Sequence, residues 1–256
     1  SVSLAAGYML GGVLGTIHFQ LAFNVQAIWM IGLGIAAVFF IEDSIVDPQT
    51  VRPCELLKAV NPFSSFASAR SLMSAVMVLF LIIVFLTGFA SNCHENAFNY
   101  FLKAELDFKP IYNGLIKAII GLVGLIANFS INLWIIRRTD AKKSLIVVLA
   151  LCALSAAGAL IPGNLTLFIV MNLAFFTANA VYQPITQALS VEGRKNSEVG
   201  VITGLFNAIK SIGNVLGSLA AGVVYDLNML FPFMLSSGAF VLSAAAAFAY
   251  WRRAKR

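Results

Sequence analysis

The sequence predicts an all-α integral membrane protein with eight transmembrane helices. Two observations lead to this prediction. Of the 256 residues, 60% are hydrophobic and only 11% are charged, whereas a soluble domain has about 25% charged residues. The apolar residues also form eight long runs, and about 20 apolar residues are what one helix needs to cross a bilayer. Open sheets cannot lie in lipid, so these runs are not expected to be strands.

The eight apolar runs are separated by short polar segments and by one long segment, 42–70. The runs cover residues 2–23, 25–41, 71–94, 110–136, 144–161, 165–189, 199–226 and 231–251. The chain opens on Ser1 without an initiator Met and is apolar almost at once. We therefore expect it to be part of a longer protein whose N-terminal helices precede residue 1.

Lysine and arginine residues are concentrated in every second connecting segment. All but four of the 17 lie in the segments 52–70, 137–143, 194–195 and 252–256. Only Lys103 and Lys109 lie in the alternate segments. Because basic residues flank the cytoplasmic ends of membrane helices, we expect the basic segments and the C-terminus to be cytoplasmic.

Four of the predicted spans have polar or small residues on one helical face, at steps of three or four. These are Thr87, Ser91 and Glu95 in the third span; Asn113, Lys117, Gly121, Gly124 and Asn128 in the fourth; Asn172, Asn179, Gln183 and Gln187 in the sixth; and Asn207, Lys210 and Asn214 in the seventh. Such faces line a cavity or the bundle interior, whereas the apolar second, fifth and eighth spans face lipid. The last six spans thus repeat a unit of three helices, as transporters do.

Glycines at steps of four occur in the first and seventh spans. They are Gly7, Gly11 and Gly15 in the first span, and Gly213 and Gly217 in the seventh. Small residues at this spacing allow two helix backbones to approach closely. We expect helix packing at both places, and their recurrence six spans apart indicates a duplicated unit.

The repeated unit of three helices and the recurring glycine steps resemble the Major Facilitator Superfamily, and three segments resemble its drug–proton antiporters of the tetracycline-efflux type. The letters NPFSSF at 61–66, followed by Ala-Arg, resemble that branch's entry into helix seven. Arg138, Lys142 and Lys143 resemble the basic residues of its loop between helices eight and nine. Residues 184–188 resemble its helix ten.

The resemblance implies that the eight spans are helices five to twelve of a twelve-helix fold. Residues 1–41 would be the last two helices of the N-terminal half, 42–70 the cytoplasmic loop between the halves, and 71–256 the six-helix C-terminal half. The segment 7–15 resembles the antiporter motif of helix five. However, Gly12 stands where that motif usually has proline, and Thr16 where it usually has glycine.

The resemblance further implies secondary active transport of a small solute by alternating access, in particular proton-coupled efflux of drug-like or organic compounds. The alternatives are proton-coupled uptake of a metabolite or an organic anion, and a truncated membrane protein that does not transport. We expect a multi-pass protein of the cell membrane, the bacterial inner membrane in particular. We expect it to be a monomer whose partners are the bilayer and a small-molecule substrate, and to need no cofactor beyond a proton gradient.

The sequence contains no pattern that predicts an enzyme, a metal site or nucleic-acid binding. The three cysteines are far apart and lack CxxC spacing, and the two histidines form no HExxH motif. Neither histidine lies in a nucleophile–base pattern, and Gly-rich phosphate loops are missing. Basic patches interleaved with aromatic residues are also missing.

Lys210 is the strongest candidate for a substrate-binding residue. It lies about 16 Å into the seventh span at 1.5 Å per residue, too deep for the side chain to reach the interface easily. We therefore expect it to face a wet cavity, a partner residue or an anionic substrate. Lys117 lies about 10 Å from the outer end of the fourth span, and Glu95 is the nearest acidic residue that could pair with it.

The candidate residues form two groups. The expected substrate cavity is lined by Lys210, Asn207, Asn179, Gln183, Lys117, Glu95 and Asn92. Gating or helix packing is expected at Pro184, Gly7, Gly11, Gly15, Gly213, Gly217, Arg138 and Lys142. Among these, Pro184 removes a backbone hydrogen bond in the middle of the sixth span and permits a bend between two amide side chains.

Overall fold

The computed structural model describes residues 2–40, 73–132, 135, 138–161, 164–194 and 196–254. Eight α-helices run through them: α1 Val2–Ile17, α2 Phe19–Phe40, α3 Ala75–Ala104, α4 Pro110–Ala127, α5 Ala141–Gly158, α6 Leu165–Val191, α7 Asn196–Leu227 and α8 Phe231–Ala254. A π-helical turn, Asn128–Asn132, continues α4. The expected loop 42–70 between the two halves, with its NPFSSF segment, lies outside the described residues.

The predicted eight-helix, all-α architecture is confirmed. Seven of the helices in the described part of the chain are long and apolar enough to cross a membrane. The exception is α1, which has 16 residues, fewer than the roughly 20 that a bilayer core requires.

Local side-chain chemistry fixes where several helices begin. Ser74, Asp140 and Asn164 precede α3, α5 and α6, and each side chain accepts a hydrogen bond of 2.9–3.1 Å from a backbone N–H of the first turn. Such N-caps satisfy amides that have no partner within the helix. Pro110 is the first residue of α4. A backbone N–H at this position would have no acceptor within the helix, so proline costs no hydrogen bond there.

Two helix boundaries differ from those predicted. The break between the first two helices falls at His18, not near residue 24. At the break, the His18 N–H still donates to the carbonyl oxygen of Leu14, and the Leu21 N–H donates to that of His18. The helical path is therefore interrupted at a single residue. In addition, α3 continues to Ala104 instead of ending at residue 94, because apolar residues of its last turns, such as Phe98, are buried in the core.

The helix α3 lies at the centre of the bundle. It packs mainly against α7 and α8; α8 also packs on α5, α5 on α6, α6 on α4, and α4 on α1. The helix α2 makes its main contact with α1 and has no buried residue. The apolar helices α2, α5 and α8 all expose large hydrophobic side chains such as Val38, Leu154 and Leu242, as expected for helices facing lipid.

Backbones of α3 and α7 touch where glycines replace side chains. A Cβ atom at Gly213 would overlap the carbonyl oxygen of Phe85, and one at Gly217 would overlap that of Phe89. From the other side, a Cβ at Gly88 would lie 2.8 Å from the carbonyl oxygen of Lys210. The two helices therefore meet through their main chains, which is the packing that glycines at steps of four allow.

The contact between α1 and α4 uses a different glycine from those expected. A Cβ at Gly12 would lie 3.0 Å from the Cα of Gly114, whereas Gly7 and Gly11 have no such neighbour within 4 Å in the described structure. At Gly15 the nearest atom would be the Cβ of Pro110, at 3.5 Å. The structure thus places Gly15 at this contact and Gly7 and Gly11 away from it, because α1 is rotated so that Gly12 meets α4.

A histidine lies fully buried among aromatic rings in the core. The ring of His94 stacks on Phe175 with centroids 3.6 Å apart and meets Phe233 edge to face. Its Nε2 donates to Oδ1 of Asn172 at 2.8 Å, and the Asn172 NH2 donates to the carbonyl of Phe168. This asparagine therefore satisfies a polar group of the core rather than lining a cavity.

Replacing Asn172 by leucine should destabilise the protein by about 1–3 kcal/mol, because the His94 N–H would lose its partner in an apolar site. The melting temperature of the purified protein would measure this. Asn207→Leu is the matched control, since Asn207 is exposed and its replacement should change the melting temperature little. Equal melting temperatures for the two variants would contradict the role of Asn172.

Candidate substrate cavity

A polar cavity of about 190 Å³ opens between α1, α3, α4 and α6. Its lining residues are Tyr8, Glu95, Lys117, Ile120, Gly121, Gly124, Asn128, Phe176, Asn179, Ala180 and Gln183. The polar face predicted for the fourth span contributes four of them, from Lys117 to Asn128. The helices α2, α5 and α8 contribute none, in keeping with their apolar sequences.

An ion pair crosses this cavity from α3 to α4. The Nζ atom of Lys117 donates to Oε1 of Glu95 at 2.8 Å, and the side chains are 13% and 38% exposed, respectively. Glu95 is thus placed as the sequence suggested, one helical turn beyond Ser91 on α3. Ion pairs at membrane depth mark water-filled pathways and binding sites more often than plain packing.

Tyr8 of α1 completes the surroundings of this ion pair. The Lys117 ammonium lies 4.9 Å from the centre of the Tyr8 ring, within the range of a cation–π contact. Tyr8 was not among the predicted site residues. It carries no periodic polar signal in α1, so its role follows only from the packing of α1 on α4.

The amide side chains of α6 connect the cavity to α3 and α7. Asn179 accepts a hydrogen bond from the Ser91 hydroxyl at 3.0 Å, and Ser91 also bonds the Tyr182 hydroxyl at 2.8 Å. One turn further along α6, Gln183 accepts from the Lys210 ammonium at 3.4 Å. Both amides line the cavity, as their spacing on one helical face predicted.

Lys210 lies beside the cavity and reaches it through Gln183. The side chain is partly buried, and among the described residues its ammonium contacts that amide. Within the part of the chain that the structure describes, two ion pairs are closer than 4.0 Å, Glu95–Lys117 and Lys142–Glu192. Lys210 belongs to neither of them.

Two of the predicted cavity residues lie elsewhere. Asn92 faces α7, where its Oδ1 is 3.5 Å from the Ser218 hydroxyl, and it does not line the cavity. Asn207 is exposed on α7 and is not part of the lining either. The polar residues of α7 near Asn214 pack against α3 at Gly88, so that part of α7 does not line the cavity.

The predicted gating residues lie at three separate places. Pro184 is inside α6, which continues to Val191 as one helix. Lys142, in the first turn of α5, pairs with Glu192 just past the end of α6 at 3.2 Å. Arg138 is exposed. The structure thus ties α5 to α6 at this end of the bundle through Lys142.

The polar groups that line the cavity suit the binding of a ligand. No group of three His, Cys, Asp or Glu residues close enough to hold a metal ion occurs within the described ranges. The cavity offers one ion pair, amide groups and a tyrosine ring, which are groups that bind and orient a ligand.

Comparison with protein families identifies the fold. The family model of the Major Facilitator Superfamily matches residues 1–218 of this chain. The chain belongs to the Major Facilitator Superfamily. The resemblance seen in its loops and in α6 is therefore confirmed at the level of the superfamily, and the chain is a multi-pass membrane protein.

Two curated proteins resemble this chain over much of its length. The protein is 21% identical over 243 residues to multidrug resistance protein 2 of Bacillus subtilis (strain 168), which covers 92% of this chain and 59% of that protein. It is 27% identical over 179 residues to sugar efflux transporter A of Escherichia coli (strain K12). This match covers 67% of this chain and 44% of that protein. The chain thus spans about half the length of these relatives.

A solved structure shares the fold. A bacterial homologue of the iron transporter ferroportin, in its inward-facing state, superimposes with a TM-score of 0.60 at 14% identity. The match covers 69% of this chain and 45% of that one. At this identity the likeness concerns the arrangement of helices alone.

Proposed function

We propose that the protein is a secondary active transporter that exports small organic compounds by alternating access, coupled to protons. The observation that supports this most directly is the Glu95–Lys117 ion pair in a polar cavity of a membrane-embedded bundle. Charges are costly at membrane depth and are kept there where they serve a pathway or a substrate. Transporters of this kind bind their solute between helices near the midplane.

Glu95 is our candidate for the proton-binding residue. It is the one carboxylate among the described residues that line the cavity. If Glu95 takes up a proton, Lys117 loses its counter-charge and is free to turn towards a ligand or water. Proton binding and the geometry of the cavity are thereby linked through a single hydrogen bond of 2.8 Å.

Efflux is the preferred direction because both curated relatives are named for resistance or efflux. The second candidate is proton-coupled uptake of a metabolite or an organic anion. It is favoured by Lys210, which has an amide partner but no carboxylate partner within the described residues. We further propose that the protein works as a monomer in the bacterial cytoplasmic membrane.

Transport by the full-length protein in proteoliposomes tests this proposal. A panel of labelled organic solutes should move faster than through protein-free vesicles when a pH gradient is imposed. The gradient should accelerate movement opposite to the proton flow for antiport, and along it for the uptake alternative. Solute movement equal to that of protein-free vesicles, for the whole panel and both gradients, would refute secondary transport.

The orientation of the chain in the membrane gives a separate prediction. A cysteine at Asp140, which is exposed beside α5, should react with an impermeant thiol reagent only after cells are opened. A cysteine at Lys109, before α4, should react in intact cells. Both variants would be made in a background without Cys54, Cys93 and Cys152. Labelling at position 140 from outside intact cells would contradict the proposed topology. Lys195, in another of the basic segments, lies outside the described residues.

A further inference from the structure

The two amides of α6 in the cavity have their oxygens occupied by protein donors. An ammonium group can only donate, so the contact with Lys210 at 3.4 Å requires the oxygen of Gln183 to face the lysine. The oxygen of Asn179 likewise accepts from Ser91. The NH2 groups of both side chains then point away from these two donors.

Those NH2 groups are available to a ligand. Each amide NH2 has two hydrogens to donate, and none of the hydrogen bonds within the described residues uses the Nδ2 of Asn179 or the Nε2 of Gln183. Both residues line the cavity one helical turn apart. This face of α6 therefore presents donors to the cavity, with the Lys210 ammonium beside them.

The charged side chains at the cavity also favour an anionic ligand. Two lysines, Lys117 and Lys210, lie at or beside the cavity, against the single carboxylate of Glu95. Because Glu95 pairs with Lys117 at 2.8 Å, Lys210 has an amide partner but no carboxylate partner among the described residues. A cation at membrane depth without a counter-charge is unfavourable, and a bound anion would offset that cost.

We propose that the cavity binds small organic anions, with the acid group of the ligand held by the Lys210 ammonium and the amide N–H groups of Gln183 and Asn179. The inference names the substrate class of the proposed transporter and rests on that function for its biological meaning. A cationic ligand would meet two lysines and a row of N–H donors, while the only lining carboxylate of the described residues is already paired.

The described residues enclose a volume of about 190 Å³, which is smaller than the roughly 300–1,000 Å³ of sites for drug-sized molecules. An acid with one ring or a short chain fits this space. Such a ligand can place its carboxylate at α6 and its apolar part against Ile120 and Phe176, which also line the cavity.

Three probes of one shape and different charge test the proposal: benzoate, benzamide and benzylamine. Binding to the purified full-length protein would be measured by calorimetry near neutral pH. Benzoate should bind at least about tenfold more tightly than benzamide, because it adds charge-assisted hydrogen bonds. Benzylamine should bind more weakly still.

Substitutions at Lys210 and Gln183 test whether these residues cause the preference for benzoate. Lys210→Met should lower the affinity for benzoate by about tenfold and leave that for benzamide unchanged, and Lys210→Arg should retain part of the preference. Gln183→Glu is isosteric and places a carboxylate against Lys210, so it should abolish the preference even if Lys210→Met does not fold. Lys103→Met, outside the cavity, is the control and should bind benzoate like the parent.

The outcomes separate this inference from the proposed function. Equal affinity for benzoate and benzamide, tighter binding of benzylamine, or no benzoate binding by folded protein at millimolar concentration overturns the inference. So does an unchanged preference in Gln183→Glu. If benzoate binds with the expected pattern but is not moved across proteoliposomes, the transport proposal fails and the ligand class stands. Transport without any charge preference overturns the ligand class alone.

Discussion

Gly217→Ala should destabilise the protein by about 2–3 kcal/mol, although the substitution adds a single methyl group. The new Cβ would overlap the carbonyl oxygen of Phe89 in α3, and a main-chain atom cannot move aside without separating the two helices. Overpacking of this kind costs about 1–3 kcal/mol where the neighbours are fixed. The melting temperature of the purified protein, or its unfolding by denaturant, would measure the loss.

Gly222→Ala is the matched control on the same helix. No atom outside its own helix segment lies within 4 Å of the position of that Cβ in the described structure. In a helix interior, alanine is more favourable than glycine by about 1 kcal/mol, so this variant should be neutral or slightly more stable. Equal stability of Gly217→Ala and Gly222→Ala would contradict the close contact between the backbones of α3 and α7.

Lys117→Met should reduce transport by about tenfold or more and lower stability by about 1–3 kcal/mol. Methionine preserves the length of the side chain but removes the charge, so the Glu95 carboxylate loses its partner. The stability estimate lies between the small value of exposed pairs and the roughly 3–5 kcal/mol of fully buried ones, because Glu95 remains 38% exposed. Proteoliposome transport and melting temperature would be measured together.

A double variant separates the two effects of this change. Glu95→Gln combined with Lys117→Met leaves no unpaired charge, so stability should return towards that of the parent while transport stays low. Lys142→Met, which breaks the more exposed pair with Glu192, is the control for stability and should cost at most about 1 kcal/mol. Full transport activity in the double variant would show that the Glu95–Lys117 pair is structural only.

The sequence predicts the helices and much of the cavity because lipid restricts what each helical face can be. Polar residues at steps of three or four on an otherwise apolar helix are unfavourable in contact with lipid, so they face the bundle interior or a cavity. This is why Lys117, Gly121, Gly124 and Asn128 all line one cavity. The partner of Lys117 was foreseeable for the same reason, since Glu95 is the one nearby acid at that depth.

The errors concern how helices are rotated against one another. A step of four identifies a face of α1, but the choice between Gly11 and Gly12 depends on where α4 lies. Asn207 belongs to the polar face of its helix and Asn92 is next to such a face, yet Asn207 is exposed and Asn92 bonds Ser218. Tyr8 has no pattern at all, and only the meeting of α1 with α4 gives it a role.

The π-helical turn at Asn128–Asn132 has a consequence for how relatives of this chain are aligned. A turn closed by i→i+5 bonds contains one residue more than the α-helical turn it replaces. A relative in which α4 is regular throughout should therefore match this chain only if a single-residue gap is placed in 128–132. Without that gap, every position after the turn would be compared with a neighbour pointing in a different direction. Arg138, Lys142 and Lys143 lie beyond the turn and would be among the mismatched positions.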